Sequence, residues 1–318
     1  MPFSPLNNAM QPESHAAGAS VPMTRDAGNA HATASLRTPV SSGFEPTKVL
    51  RWLRRPGLAL AALFVVLLVI AAVWPECLSA KDPLGADASQ AFLAPGTGHV
   101  LGTDENGRDV LTRLIYGARP SLVMGLCATA ISLAGGVILG LLAGLGHRTV
   151  DTAVMRFIDV LLAFPDLLLA LVIIAFWGQG QLNAILAVGL ASVPRHARMV
   201  RVQTRVVRSA PYVDAARTLG IGSRRLVLRH VLPNAIKPIL TLSIISIGGQ
   251  ITAGASLSFL GLGAPPPSPE WGSMLSTGRD FLANAWWLTA MPGIVITLTV
   301  VSITALGREL MRRREGKQ

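Results

Sequence analysis

The sequence predicts an all-α, polytopic membrane protein with six transmembrane helices, and three observations predict it. Of the 318 residues, 51% are hydrophobic and only 14% charged, against roughly one quarter charged in soluble globular domains. Four uncharged runs, 58–74, 120–146, 238–264 and 283–307, approach or exceed the ~20 residues a helix needs to cross a hydrocarbon core. Lys and Arg segregate: with the N-terminus inside, all of them fall on the cytoplasmic side except Lys81, Arg108, Arg113, Arg119 and Arg279. Basic residues in short loops set orientation, so both termini are expected in the cytoplasm.

Each element follows in order. Residues 1–47 are rich in Ala, Ser, Pro, Asn and Thr, too poor in apolar surface to offset the entropy of ordering, and are expected to form a disordered cytoplasmic tail. The first transmembrane helix lies within 48–75: the run 58–74 follows Arg51, Arg54 and Arg55, which hold its start inside. Because this run comes after a long tail, it reads as an uncleaved membrane helix rather than a signal peptide. Residues 76–119 form an extracytoplasmic segment. In it Val110, Leu111, Leu114 and Ile115 recur at helical spacing opposite Arg108 and Arg113, predicting a short amphipathic helix at the membrane surface.

Residues 120–307 make the membrane core. Its weaker spans are 152–177, which carries Arg156, Asp159 and Asp166, and 182–194, which is short unless its helix continues into the basic residues beyond. A long cytoplasmic loop, 195–237, separates these from the last two spans, and 308–318 is a basic cytoplasmic tail. Gly136, Gly140 and Gly144, four residues apart, permit a close helix approach, read as packing within the chain rather than dimerisation. The Arg-rich run 195–208 orients the loop, and anionic lipid or a partner protein are its other candidate contacts.

Composition also excludes function classes. The net charge of +11 is accounted for by topology, so nucleic acid is not needed as a partner. Cys77 and Cys127 are far apart and lack a C-x-x-C spacing, which indicates neither a disulfide framework nor a metal centre. His99, His147, His196 and His230 fall in separate loops without ligand spacing. No hydrolytic triad or carboxylate pair stands out, and the one Gly-Lys pair, Gly316-Lys317, is no phosphate loop. The chain is therefore expected to be no enzyme and to hold no cofactor.

The cytoplasmic loop is the specific part. Pro211 suits a first helical turn, Asp214 the positive end of the helix dipole, and Gly220 a left-handed terminator. Tyr212, Ala215, Ala216 and Leu219 share one stripe, and the alanines let that stripe sink into a groove. Ser223 is placed to cap a second helix, which Pro233 is expected to end before the next span begins near Pro238.

These residues resemble the cytoplasmic signature of binding-protein-dependent ABC permeases: Glu-Ala-Ala, three residues, Gly, nine residues, an apolar position, one residue, then Leu-Pro. Here it reads Asp214-Ala215-Ala216, Gly220, His230, Leu232-Pro233, with Asp for Glu and His at the apolar position. The Arg-His-x-Leu-Pro-Asn run resembles the peptide and nickel branch. Leu101-Gly102-Thr103-Asp104 with Gly107-Arg108-Asp109, and Phe259-Leu260-Gly261-Leu262-Gly263 with Pro269-Glu270-Trp271-Gly272 and Pro292-Gly293, resemble the C-type subunit of dipeptide and oligopeptide systems. The resemblance spans roughly residues 50 to 307.

It implies a type I ABC importer permease fold in a bacterial cytoplasmic membrane. The implied partners are a second homologous permease, two ATP-binding cassette ATPases that hold ATP and Mg, an extracytoplasmic solute-binding protein and membrane lipid. The implied ATPase-docking residues are Tyr212, Asp214, Ala215, Ala216, Leu219, Gly220, Leu232 and Pro233. Peptides, dipeptides or oligopeptides first, are the implied solutes, with nickel, glutathione or another small solute as alternatives. A different class, an ion-coupled secondary transporter, would use Asp159 and Asp166 as coupling carboxylates. Asp166 has two readings: it faces the translocation path, or it caps the helix resumed after Pro165 or pairs with a basic group. Asp159, seven residues earlier, lies nearer the cytoplasmic end, where water or Arg156 can satisfy it.

Overall fold

The computed structural model describes residues 56–315, so the expected tail 1–47 and the basic residues before Pro56 lie outside the described residues. Among the described residues the regular structure is helical, with two isolated β-bridges in the outer segment. The principal helices are α1 (Pro56–Val73), α2 (Val110–Leu145), α3 (Arg148–Leu162), α4 (Asp166–Trp177), α5 (Gln181–Ala191) and α6 (Val193–Arg208). They continue with α7 (Pro211–Thr218), α8 (Ser223–Leu226), α9 (Leu232–Phe259), α10 (Trp271–Arg279) and α11 (Trp287–Glu315). Four helical stretches are long and apolar enough to cross a membrane: α1, α2, α8 running into α9, and α11. The bent pair α3–α4 makes a fifth.

The 36-residue α2 is the axle of the bundle. Its C-terminal part packs along α6 and the helix also meets α5, α9 and α1, while α11 closes the other side against α9, α10 and α1. Close approach of α2 and α6 rests on the glycine series. A Cβ on Gly136, Gly140 or Gly144 would come within 2.4–2.8 Å of the side chains of His196, Val200 and Thr204. Both series advance by four, so the helices mesh along one ridge; the glycines pack within the chain.

Several boundaries differ from those the sequence predicts. The amphipathic stretch 110–119 is no separate surface helix. It forms the first turns of α2, because Val110, Leu114 and Ala118 are buried against Trp271, Trp287 and Leu288 rather than lying on lipid. Pro120 sits inside the helix without ending it. The span 152–177 is broken: α3 and α4 meet at 92° across residues 163–165, where Pro165 supplies no donor and disfavours helix at Phe164. The short span is lengthened, since α5 passes into α6 with only the helically disposed Ser192 between them.

Pro233 does not end a helix either. A π-helical turn, Val227–Val231, leads from α8 directly into α9, with Pro233 in its first turn. The wider turn loosens the i→i−4 ladder where the proline ring would clash and its N–H is missing. Ser223 makes no side-chain cap; the cap position belongs to Gly222.

Candidate functional site

Two regions of the chain concentrate unusual chemistry: the cytoplasmic helix pair at α7 and the break between α3 and α4.

The sequence chemistry around α7 produces a tightly terminated helix. Pro211 occupies its first turn, Asp214 lies near its positive end, and Gly220 takes φ 78° just beyond it. The Ile221 N–H donates to the Ala216 carbonyl at 3.2 Å and the Gly220 N–H to the Arg217 carbonyl at 3.0 Å. That is the paired closure of a glycine-terminated helix, with Ile221 packing back on the helix as the motif requires. The expected stripe divides in the fold. Ala216 is buried with Val213, Val207, Leu226 and Val231, so it anchors α7 to the rest of the chain instead of entering a partner's groove. Tyr212, Ala215 and Leu219 point outward, with Leu219 82% exposed. A three-residue step from Val213 to Ala216 defines the inner face, which the sequence alone could not distinguish from the outer one.

Asp214 is exposed and accepts from Arg217 Nη1 at 3.0 Å, one turn away. Asn234 Nδ2 donates to Tyr212 Oη at 3.3 Å, tying α7 to the start of α9. Leu232 is half-buried and Pro233 exposed. Below α7 a cavity of about 800 Å³ is lined by Arg148, Asp151, Arg205, Arg208, Asp214 and Arg217 among others. The result is a short helix held by the tight turn 219–222 to α8, which runs unbroken into a membrane span, with exposed apolar side chains on its outer face.

At the α3–α4 break, the sequence-predicted carboxylates meet the arginines of α6. Arg195 pairs with Asp166, Arg198 with Asp159, and Arg201 and Arg205 together with Asp151. Arg195, Arg198, Arg201 and Arg205 share one helical face by their spacing. The ladder therefore joins α6 to both arms of the bend. Asp166 is the first residue of α4; it pairs with a basic group, Arg195, and the helix has no side-chain cap. Asp159 pairs with Arg198, not Arg156. Both carboxylates therefore have an arginine partner. Asp151 is nearly buried, its exposure 6%, and two guanidiniums compensate the lost hydration.

Depth gives the Asp166–Arg195 pair its interest. The neighbouring His196 packs on Gly136, close to the middle of the uncharged run 120–146. A cavity of about 110 Å³ beside the pair also contains Gln250, the midpoint region of the run 238–264. Both side chains of the pair are open, Arg195 at 61% and Asp166 at 38% exposure. A charge facing lipid at mid-depth costs about 2.5–3.5 kcal/mol, so this face borders water or another protein rather than acyl chains.

Besides the pair, the cavity is lined by Ser192, His196, Ser246, Gly249 and Gln250, and by an apolar wall of Leu167, Ala170, Val188, Ala191 and Ala253. Ser192 Oγ donates to Gln250 Oε1 at 3.4 Å, and Ser246 Oγ lies 3.5 Å from His196 Nε2. Sequence reasoning passed over Arg195, His196 and Gln250. Signals were present: Gln250 is the one side-chain amide within the run 238–264, and Arg195 and His196 directly follow the short apolar segment.

Comparison with known proteins follows from this geometry. The family model described as "Binding-protein-dependent transport system inner membrane component" matches residues 136–316. The chain is 39% identical to the di/tripeptide transport system permease protein DppC of Pseudomonas aeruginosa, over 77% of this chain and 83% of that one. It is 39% identical to the glutathione transport system permease protein GsiD of Pectobacterium atrosepticum, over 81% and 86%. It is 34% identical to the probable D,D-dipeptide transport system permease protein DdpC of Escherichia coli, over 89% and 97%. Among solved structures, an inward-facing MetNI methionine ABC transporter chain superposes with a TM-score of 0.54 at 19% identity, covering 63% of this chain and 95% of that one. A chain of an amino acid ABC transporter gives 0.51 at 16%, covering 64% and 94%.

Proposed function

Because the chain belongs to the family of binding-protein-dependent transport system inner membrane components, we propose that it is the permease subunit of an ATP-driven importer for peptides. Dipeptides and short oligopeptides are the favoured solutes, since relatives named for peptides match over most of both chains. The relatives named for glutathione fit the same substrate class, as glutathione is itself a tripeptide. Chemistry at ATP belongs to other chains, two ATPase subunits that bind ATP and Mg. A second homologous permease completes the pathway, and an extracytoplasmic binding protein delivers the solute. The membrane is the bacterial cytoplasmic one, with both termini inside.

The observation that carries the reading is the outward apolar face of α7, Tyr212, Ala215 and Leu219, next to Asp214 and closed by Gly220. Such a face at the end of a rigid element is suited to a groove on an ATPase, with Leu232 and Pro233 setting its root. When two ATPases approach each other on binding ATP, α7 moves as a body. The packed turn 219–222 passes this motion to α8, and the π-helical turn carries it on into α9. Asp166 and Asp159, with their arginine partners, form part of the wall of the path.

The test is uptake of a labelled dipeptide into proteoliposomes carrying the assembled transporter. Uptake requiring ATP and the binding protein is the expected result. Uptake driven by a proton or sodium gradient in vesicles lacking the ATPases would overturn the proposal.

A further inference from the structure

The mid-depth cavity beside Arg195 holds more donors than one internal carboxylate uses. Arg195 commits Nη2 to Asp166, and no other hydrogen bond from its guanidinium is formed among the described residues. At 61% exposure the rest of the fork is open to whatever occupies the adjoining space. Gln250, only 4% exposed, gives Oε1 to Ser192, and its Nε2 finds no partner among the described residues. That nitrogen is open to the cavity rather than sealed within the protein. An unpartnered Gln250 donor in the same cavity as a partly used guanidinium marks a place for an acceptor.

We propose that Arg195 and Gln250 form a membrane-embedded receptor for the C-terminal carboxylate of a peptide in transit, with Asp166 holding the guanidinium in place while the site is empty. This rests on the peptide-importer reading above. Three physical points select a carboxylate. First, Arg195 and Gln250 contribute only donors, and a planar guanidinium fork matches the two oxygens of a carboxylate.

Second, Asp166 neutralises Arg195 in the empty site, so no uncompensated charge is left at mid-depth. A zwitterionic peptide keeps that balance when it binds, because its ammonium offsets its carboxylate. Third, the cavity of about 110 Å³ accommodates one end of a peptide and not the whole of it. The half-open face leaves the remainder to the opposite wall of the path. The site is thus a reader of one terminus, indifferent to side chains, which suits a carrier of varied sequences.

The test uses the complete transporter in proteoliposomes, with its own binding protein, and compares uptake of labelled trialanine with that of trialanine C-terminal amide. Since the binding protein is the same throughout, a change in the ratio between the two probes reports on the membrane site. Arg195→Gln is expected to shrink the preference for the free acid by about tenfold or more, and Arg195→Lys, which keeps the charge without the fork, by less. An unchanged ratio in Arg195→Gln overturns the proposal. Should that variant fail to assemble, Arg195→Lys and Gln250→Leu carry the test, and wild-type ratios in both overturn it. Wild-type vesicles that take up neither peptide would instead overturn the importer reading itself.

Discussion

Gly107 and Gly220 have almost the same positive φ, 73° and 78°, and opposite surroundings. A Cβ on Gly107 would stand 1.8 Å from the Asp87 carbonyl oxygen, whereas one on Gly220 would meet nothing within 4 Å. The contrast extends to the two ends of the molecule. At the outer end, the Asp104 carboxylate accepts from the Asn106 and Arg108 N–H groups, and Trp287 Nε1 donates to the Thr103 carbonyl at 3.1 Å. Glu270, 2% exposed, caps α10 through the Gly272 and Ser273 N–H groups, while the fully buried Trp271 donates to the Leu114 carbonyl at 2.9 Å. At the inner end, α7 buries two residues and leaves Tyr212 and Leu219 outside. The outer end ties its backbone and its buried tryptophans into hydrogen bonds within the chain, whereas α7 leaves its outer apolar face uncovered.

Four substitutions or conditions break or sharpen that comparison. Trp271→Ala should have the largest effect on stability, about 3–5 kcal/mol, because it opens a cavity among α2, α9 and α10 and strips a donor from Leu114. Thermal unfolding in detergent would register it, and a midpoint within a degree of wild type would contradict the packing described. Gly107→Val should follow at about 3 kcal/mol, combining a backbone clash with a left-handed φ. Poor recovery of monodisperse protein is the readout.

Gly220→Val faces the same φ without the clash, so about 1–2 kcal/mol of strain is expected. Membrane levels should stay within about twofold, while ATP-dependent uptake falls at least tenfold if α7 is the coupling element. Uptake at wild-type rate would break the assignment. The smallest effect is acid sensitivity at the outer end. Burial pushes the Asp109 carboxyl up, but hydrogen bonds from Thr112 and His99 and the charge of Lys81 outweigh it and hold the group below its ordinary value. A depressed folded-state value means this brace is complete above the usual carboxylate range, about pH 3.9, and is lost as pH falls through the lower folded value. Asp109→Asn should therefore flatten part of the acid loss of thermal stability, measured from about pH 5 down to pH values below the ordinary carboxylate range.

Much of the membrane architecture was legible because its signals are local. Uncharged length marks a span, and a Pro-to-Gly bracket marks a short helix. The bend at Pro165 and the continuation of α5 into α6 were within reach of the same rules. Expectation and structure part where a neighbour decides. Pro233 looks like a stop because a proline within an ordinary α-helix clashes, yet the preceding π-helical turn removes the conflict. The outer amphipathic stretch looks like a helix lying on lipid, although its apolar side meets Trp271 and Trp287. The Arg-rich run carries a topological signal, and four of its members also pair within the chain, with carboxylates too far away in sequence for spacing to reveal.

By itself the sequence determined the solvent, the orientation expected from its charges, and the spacing that makes α7 a short closed helix. Each depends on composition or on residues a few positions apart, which covalent geometry keeps together in any fold. Only the tertiary structure decided which side of α7 is free, and that Arg195 and Asp166 meet beside Gln250 at mid-depth. Those residues are separated by 29 and more positions, and a pairing over that distance exists only once α4, α6 and α9 have packed.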